Sequence, residues 1–160
     1  MTDSMSWTEH AIENFFNARK SPTRSQCNQL ALYITGASAV RPVDVPGSLS
    51  YIVICTGRGD KGDVVVSFRE SDSQLDESKV ALARAIHGDL VPHATSHGTV
   101  SGSDPPLIIY TMPLLPGEAC LEVLSCEADM KPGEAEKHIH FVQHLARYYL
   151  RVRLYLSFNN

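Results

Sequence analysis

Basic charge is sparse in this chain: 14 lysines and arginines stand against 18 aspartates and glutamates, a formal net charge of -4 at pH 7. A nucleic-acid binder needs a basic face, so this balance argues against DNA or RNA as a partner. Long apolar runs are absent too. None approaches the ~18 residues of a membrane-spanning helix, so no membrane partner is expected. The opening MTDSMSWTEHAIENFF has no basic stretch ahead of an apolar segment, so no secretory signal is read there. Cysteine is scarce, and Cys27, Cys55, Cys120 and Cys126 are scattered, mostly within apolar runs. Without a secretory route they read as reduced, packed thiols, and the expected compartment is the cytoplasm. What remains is a chain of 160 residues, 43% hydrophobic and 20% charged, the proportions of an ordinary globular domain with a sizeable core.

Periodicity gives the elements. TEHAIENFFNARK places Ile12, Phe15, Phe16 and Ala18 near helical spacing, with Thr8 as the expected N-cap. In SPTRSQCNQLALYITG, Ser25 is the expected cap, Leu30, Ala31 and Ile34 line a face, and Gly36 is the stop. YIVIC (Tyr51 to Cys55) and VVVSF (Val64 to Phe68) are β-branched runs joined by the turn cluster TGRGDKGD, which predicts an antiparallel hairpin. LDESKVALARAIHG predicts a helix with Asp76 and Glu77 at its start and a stripe of Leu82, Ala85 and Ile86. A short strand is expected from Leu107 to Met112, and a long amphipathic helix opens at Pro132 and Glu134. HATSHGTVSGSDPP is the expected mobile loop. The order predicts an α+β fold, an antiparallel sheet covered by helices with a further helix at the C-terminal end.

Several short motifs invite a function and lose it in context. Gly57-Arg58-Gly59-Asp60-Lys61-Gly62 matches G-x-G-x-x-G, but a dinucleotide site needs a helix after it, and here a strand follows. The embedded Arg58-Gly59-Asp60 tripeptide carries no more weight. His140 and His144 share a helix face, with His138 nearby. A metalloprotease helix would need Glu directly after the first His, where Phe141 stands, so a polar stripe is the better reading and no metal site is expected. His87, His93 and His97 are too loosely placed to form a site. GTVSGS does not fit the G-x-S-x-G elbow of a serine hydrolase.

In the middle of the chain, the phrases ALYITGASAVRPVDVPGSLSYIVI, VVVSFRE, LDESKVALARAIHGDLVPHATSHG and LIIYTMPLLPGE follow in order. From Leu30 to Val123 they resemble the N-terminal lobe of the aminoglycoside phosphotransferase-like family, especially its fungal members. The resemblance implies a five-stranded antiparallel sheet with one helix, like the N-lobe of a protein kinase. It divides the chain into an N-terminal helical segment (1–29), a kinase-like N-lobe (30–123) and a C-terminal helix and tail (124–160). By position it implies that Gly47, Ser48 and Ser50 in PGSLSY cover nucleotide phosphates. The lysine expected on VVVSF is missing; Ser67 and Arg69 share a strand face, and Arg69 is the substitute cation. Glu77 is the candidate acidic partner on the next helix. YTMPLLPG would be the hinge, its backbone from Thr111 to Leu114, with Met112, meeting an adenine. ATP and Mg2+ are the cofactors such a site could take.

His87-Gly88-Asp89-Leu90 shares its letters with the family's catalytic loop. There an Asp acts as base and an Asn five residues on holds magnesium, but Ala94 occupies that place, and these letters precede the hinge. They are expected to end a helix. No Asp-x4-Asn spacing follows Glu118 either, and HLARYYLRVRLYLSFNN begins as a helix and turns into an apolar, β-prone run. The resemblance therefore implies a shortened, non-catalytic phosphotransferase-like chain, by gene truncation or an incomplete gene record, and an accessory role in a fungal specialised-metabolite pathway. Two alternatives stay open: a fragment of an ATP-dependent small-molecule O-phosphotransferase, and a nucleotide-binding or scaffolding module. The C-terminal helix is the expected surface for a protein partner or for self-association.

Overall fold

The computed structural model describes residues 6–117 and 133–158. Cys120, Cys126 and Pro132 lie outside the described residues, as do Glu118 and Val123. The chain divides into two compact units, Met1–Asp76 with Pro92–Leu114, and Glu77–Val91 with Leu115–Asn160. The helical segment at the start thus belongs with the sheet, and the helix between the third and fourth strands goes with the C-terminal helix.

Helix α1 runs from Trp7 to Asn17 and α2 from Arg24 to Thr35. Their caps differ from the expected ones. Ser6, not Thr8, caps α1 by accepting the Glu9 amide at 3.2 Å, while the Thr8 hydroxyl donates to the Asp44 carbonyl at 2.7 Å. Thr23, not Ser25, caps α2 in a reciprocal box: its hydroxyl accepts the Gln26 amide at 3.3 Å, and its own amide donates to the Gln26 side chain at 2.8 Å. Both true caps stand three residues before Glu or Gln; at α2 that spacing satisfies two orphan amides at once, whereas at α1 the Glu9 carboxylate turns to Arg24 instead. Gly36 ends α2 in the left-handed region, φ 66°, as expected of glycine there.

Five strands form one antiparallel sheet: β1 (Ala39–Pro42), β2 (Ser50–Thr56), β3 (Val64–Glu70), β4 (Thr95–Thr99) and β5 (Leu107–Pro113), in the order β1-β2-β3-β5-β4. The expected hairpin is present, with Val53 opposite Val66 and Tyr51 opposite Phe68. Alternation sorts the side chains into two faces. Tyr51, Val53, Cys55, Val66, Phe68, Leu107 and Ile109 share one, and Ile12, Phe15, Cys27 and Ala31 of α1 and α2 complete the buried cluster with them. The Tyr51 hydroxyl enters that core with a partner, donating to the Asn28 side chain at 2.8 Å.

Strand β4 falls within the expected mobile loop and corrects it. All five of its residues are exposed, so no apolar alternation announces it. Backbone pairing holds it on β5, with an irregularity between Ser96 and Thr99, and His97 Nε2 lies 2.8 Å from the Thr111 hydroxyl. A polar, irregular edge strand of this kind discourages further strand pairing.

The second unit contains α3 (Glu77–His87), a short 3-10 turn from Gly88 to Leu90, and α4 (Glu134–Phe158). His87 does close its helix, as expected of these letters. The expected stripe is corrected in part: Leu82 and Ala85 are exposed, Ile86 is half-buried as expected, and the other covered positions are Val80, Ala83, Arg84 and His87. His87 takes the buried place because its ring stacks on Tyr148 of α4, centroids 3.5 Å apart and 2° from parallel. The expected β-prone tail is helical through Phe158. Between Ala135 and Phe158 there is neither glycine nor proline, so a helix once nucleated has nothing to stop it.

Candidate functional site

The G-x-G-x-x-G stretch joins β2 to β3, with a 3-10 turn from Gly59 to Lys61. Gly57, Gly59 and Gly62 all have positive φ, so the glycines serve the turn. A Cβ on Gly57 would stand 2.0 Å from the Ser38 hydroxyl oxygen, so that position also needs glycine for close approach. Among the described residues no cluster of three or more His, Cys, Asp or Glu side chains could hold a metal ion. His140 and His144 are exposed on α4, and His138 is half-buried with its Nε2 unpartnered.

The positions implied by the resemblance fall on the sheet face away from the α1–α2 core. Ser50 and Arg69 are cross-strand partners, Arg69 is opposite Ile108, and Ser67 lies between Ile52 and Tyr110. Met112 pairs with Val65 at the far end of β3, about 13 Å from Arg69 at ~3.3 Å per residue. Gly47 and Ser48 lie in the β1–β2 connection, exposed, and Ser50 is the first residue of β2 and buried. Glu77 opens α3 in the other unit.

This face is used by the chain itself. Arg69 Nε donates to the Ser73 carbonyl at 2.7 Å, which turns the guanidinium into the 3-10 turn after its own strand. The Ser73 hydroxyl donates to the Leu49 and Glu70 carbonyls, and the Leu75 amide donates to the Tyr110 hydroxyl at 3.3 Å. The segment leaving β3 is thereby sewn across the end of the sheet where phosphates were expected. Thr111 to Pro113 remain in β5, paired with β3, and the Leu114 amide donates to the Asp63 carbonyl at 3.0 Å.

An ATP–magnesium pair does not fit this donor set. The strand residues of this face include two cations, Arg41 and Arg69, and no carboxylate to hold a metal. The one carboxylate on β3, Glu70, belongs to the opposite face. Ser67, in the strand expected to supply a basic side chain, is 1% exposed and its hydroxyl has no partner.

Two charged features escaped the sequence reading. Arg19, just beyond α1, is buried: its side chain is paired with Glu70 at 2.5 Å, bonded to the Phe15 carbonyl, and stacked 3.5 Å over the Phe15 ring. The signal was its i+4 spacing from Phe15, hidden in a segment that reads as a solvated helix end. The second is the bidentate pair of Arg24 and Glu9, at 2.7 and 3.2 Å, which ties α1 to α2. Its hydrogen bonds hold the Glu9 carboxyl below the usual range and raise the Arg24 guanidinium. Both thiols described are inert by environment. Burial pushes Cys27 up to about 12, and burial raises Cys55 as well, away from any reactive thiolate.

In the second unit an open cleft of about 510 Å³ runs along α4, lined by Leu90, Phe141, His144, Leu145, Arg147, Tyr148 and Arg151. No helix among the described residues is long and apolar enough to cross a membrane. No family model matches the sequence, and neither a curated protein nor a solved structure matches it.

Proposed function

We propose that these 160 residues work as a non-catalytic binding unit related to the N-terminal lobe of the aminoglycoside phosphotransferase-like family. A five-stranded antiparallel sheet, with one helix between its third and fourth strands, supports the relationship. The observation that carries the non-catalytic part is the internal use of the nucleotide face: Arg69 is bonded to Ser73. Phosphoryl transfer needs charge neutralisation, and no strand residue of this face is a carboxylate that could hold a metal. The unit would then act through contacts with other macromolecules, not through turnover.

The test is calorimetry with ATP and magnesium, together with an ADP-release assay against alcohols and amines. No saturable heat and no turnover above background are expected. Saturable binding that Arg69→Ala abolishes would replace this reading with a nucleotide-binding module, and ADP release dependent on an alcohol would replace it with an enzyme.

A further inference from the structure

We propose that the cleft along α4 binds a small aromatic acid, a ring that bears a carboxylate or a single phosphate. All of its lining residues belong to the second unit, and none is a position of the nucleotide face. Its volume of about 510 Å³ falls within the range of pockets that hold small molecules. Two strips of α4 run side by side along it. Phe141, Leu145 and Tyr148, spaced four and three, give an apolar and largely aromatic floor, to which Leu90 adds from the turn after α3. Tyr148 is held in place, because its ring stacks on that of His87, which is itself buried. A ring so fixed loses little freedom when a ligand ring packs beside it.

His144, Arg147 and Arg151, spaced three and four, form the second strip. The two arginines stand one helical turn apart, about 6 Å along the axis, close enough for both guanidiniums to reach one anion. Their lack of a partner sets them apart. Every other arginine whose side chain is described is answered within the chain: Arg19 by Glu70, Arg24 by Glu9, Arg41 by Asp44, and Arg58, Arg69 and Arg84 by backbone carbonyls. Arg147 and Arg151 have no hydrogen bond or ion pair among the described residues. No carboxylate lines the cleft among the described residues either. Cations beside apolar rings, with no acid to oppose them, select an aromatic anion over a neutral or cationic ligand. The same absence bears on the head group: nothing there could hold a magnesium ion, so a magnesium nucleotide is not the ligand expected. The volume is that of one small molecule, which favours a free acid over an acidic protein segment.

Calorimetry of the full chain with naphthoate, naphthyl phosphate and the neutral naphthalenemethanol tests this. Saturable binding of at least one of the two acids is expected, at least about tenfold tighter than that of the alcohol, and the tighter acid identifies the head group. Arg147→Gln and Arg151→Gln, both at exposed positions, should each weaken it by at least about threefold without altering the circular dichroism. Leu145→Asp, which sets a carboxylate in the floor, should abolish it. Lys61→Gln, which removes the same charge from an exposed turn of the first unit, should leave it unchanged. No saturable binding of either acid overturns the proposal, as do equal affinities for acid and alcohol, or binding indifferent to both arginine substitutions. A hexaglutamate peptide that displaces the acid with higher affinity overturns it in favour of an acidic protein segment. None of these probes is a nucleotide, and heat from ATP that Arg69→Ala removes would bear on the N-lobe reading alone, so the two readings fail separately.

Discussion

The two compact units meet the need to bury apolar surface in different ways. In the first, α1 and α2 close one face of the sheet over an eleven-residue cluster, and Val53, Cys55, Val66, Phe68 and Leu107 have no exposure at all. In the second, α4 keeps Ile139, Val142, Tyr149 and Leu150 more than half exposed. One unit is finished by its own residues, and the other presents surface of the kind that protein interfaces bury.

The sharpest way to break this contrast is a matched pair of truncations. Phe68→Ala empties the centre of the first core and should cost about 3–5 kcal/mol, the usual range for a buried phenylalanine. Leu82→Ala, on the exposed side of α3, should stay within about 0.5 kcal/mol. Urea denaturation followed by circular dichroism measures both. If Leu82→Ala costs as much as Phe68→Ala, the second unit has a core that its exposures conceal.

Charged pairs sharpen the comparison inside the first unit. The Arg19 side chain is 0% exposed and that of Glu70 30%, while those of Arg24 and Glu9 are 37% and 41% exposed. Glu70→Ala would leave a guanidinium desolvated and unpaired. Such losses cost about 3–5 kcal/mol when both partners are buried, so about 2–3 kcal/mol is expected with Glu70 partly wet. Glu9→Ala removes a solvated pair and should leave the urea midpoint nearly unchanged. A pair of equal effects would mean that the burial of Arg19 is not what makes its partner matter.

What the sequence disclosed follows the same division. Strands β2, β3 and β5 were legible because β-branched runs ended by glycine and proline admit few other structures, and the turn cluster made the hairpin the economical reading. Strand β4 was not, since a polar edge strand has no apolar period and is held by backbone pairing that composition does not encode. The caps were misplaced by two residues because Thr8 and Ser25 sit inside first turns, and the amides that the true caps accept, those of Glu9 and Gln26, stand three residues beyond Ser6 and Thr23. His87 was set aside as an isolated histidine; its stacking partner lies sixty-one positions on, and no local pattern connects them. The nucleotide positions were legible as lobe architecture only. Whether Arg69 faces a ligand or its own turn depends on the path of Ser71 to Leu75, which side-chain spacing along β3 does not reveal.

The smallest effect expected is a pH dependence confined to the finished core. Burial raises the Cys27 thiol from its ordinary 9.0 to about 12, and it raises the Tyr51 phenol against the opposing pull of Arg24. Both native groups therefore keep a proton that the unfolded chain releases. Stability from Cys27 is whole below pH 9.0 and drains as pH climbs toward about 12, with a slope of at most ~1.4 kcal/mol per pH unit for one group. Urea midpoints measured from neutral pH up through this window should fall, and Cys27→Ala should flatten part of the slope and leave the share due to Tyr51 and Cys55. A thiol reagent applied at pH 8 to the folded chain should label Cys27 and Cys55 only at the rate of unfolding. Rapid labelling of Cys27 in the native state would mean that water reaches the α2–sheet interface, and the first unit would then be as unfinished as the second.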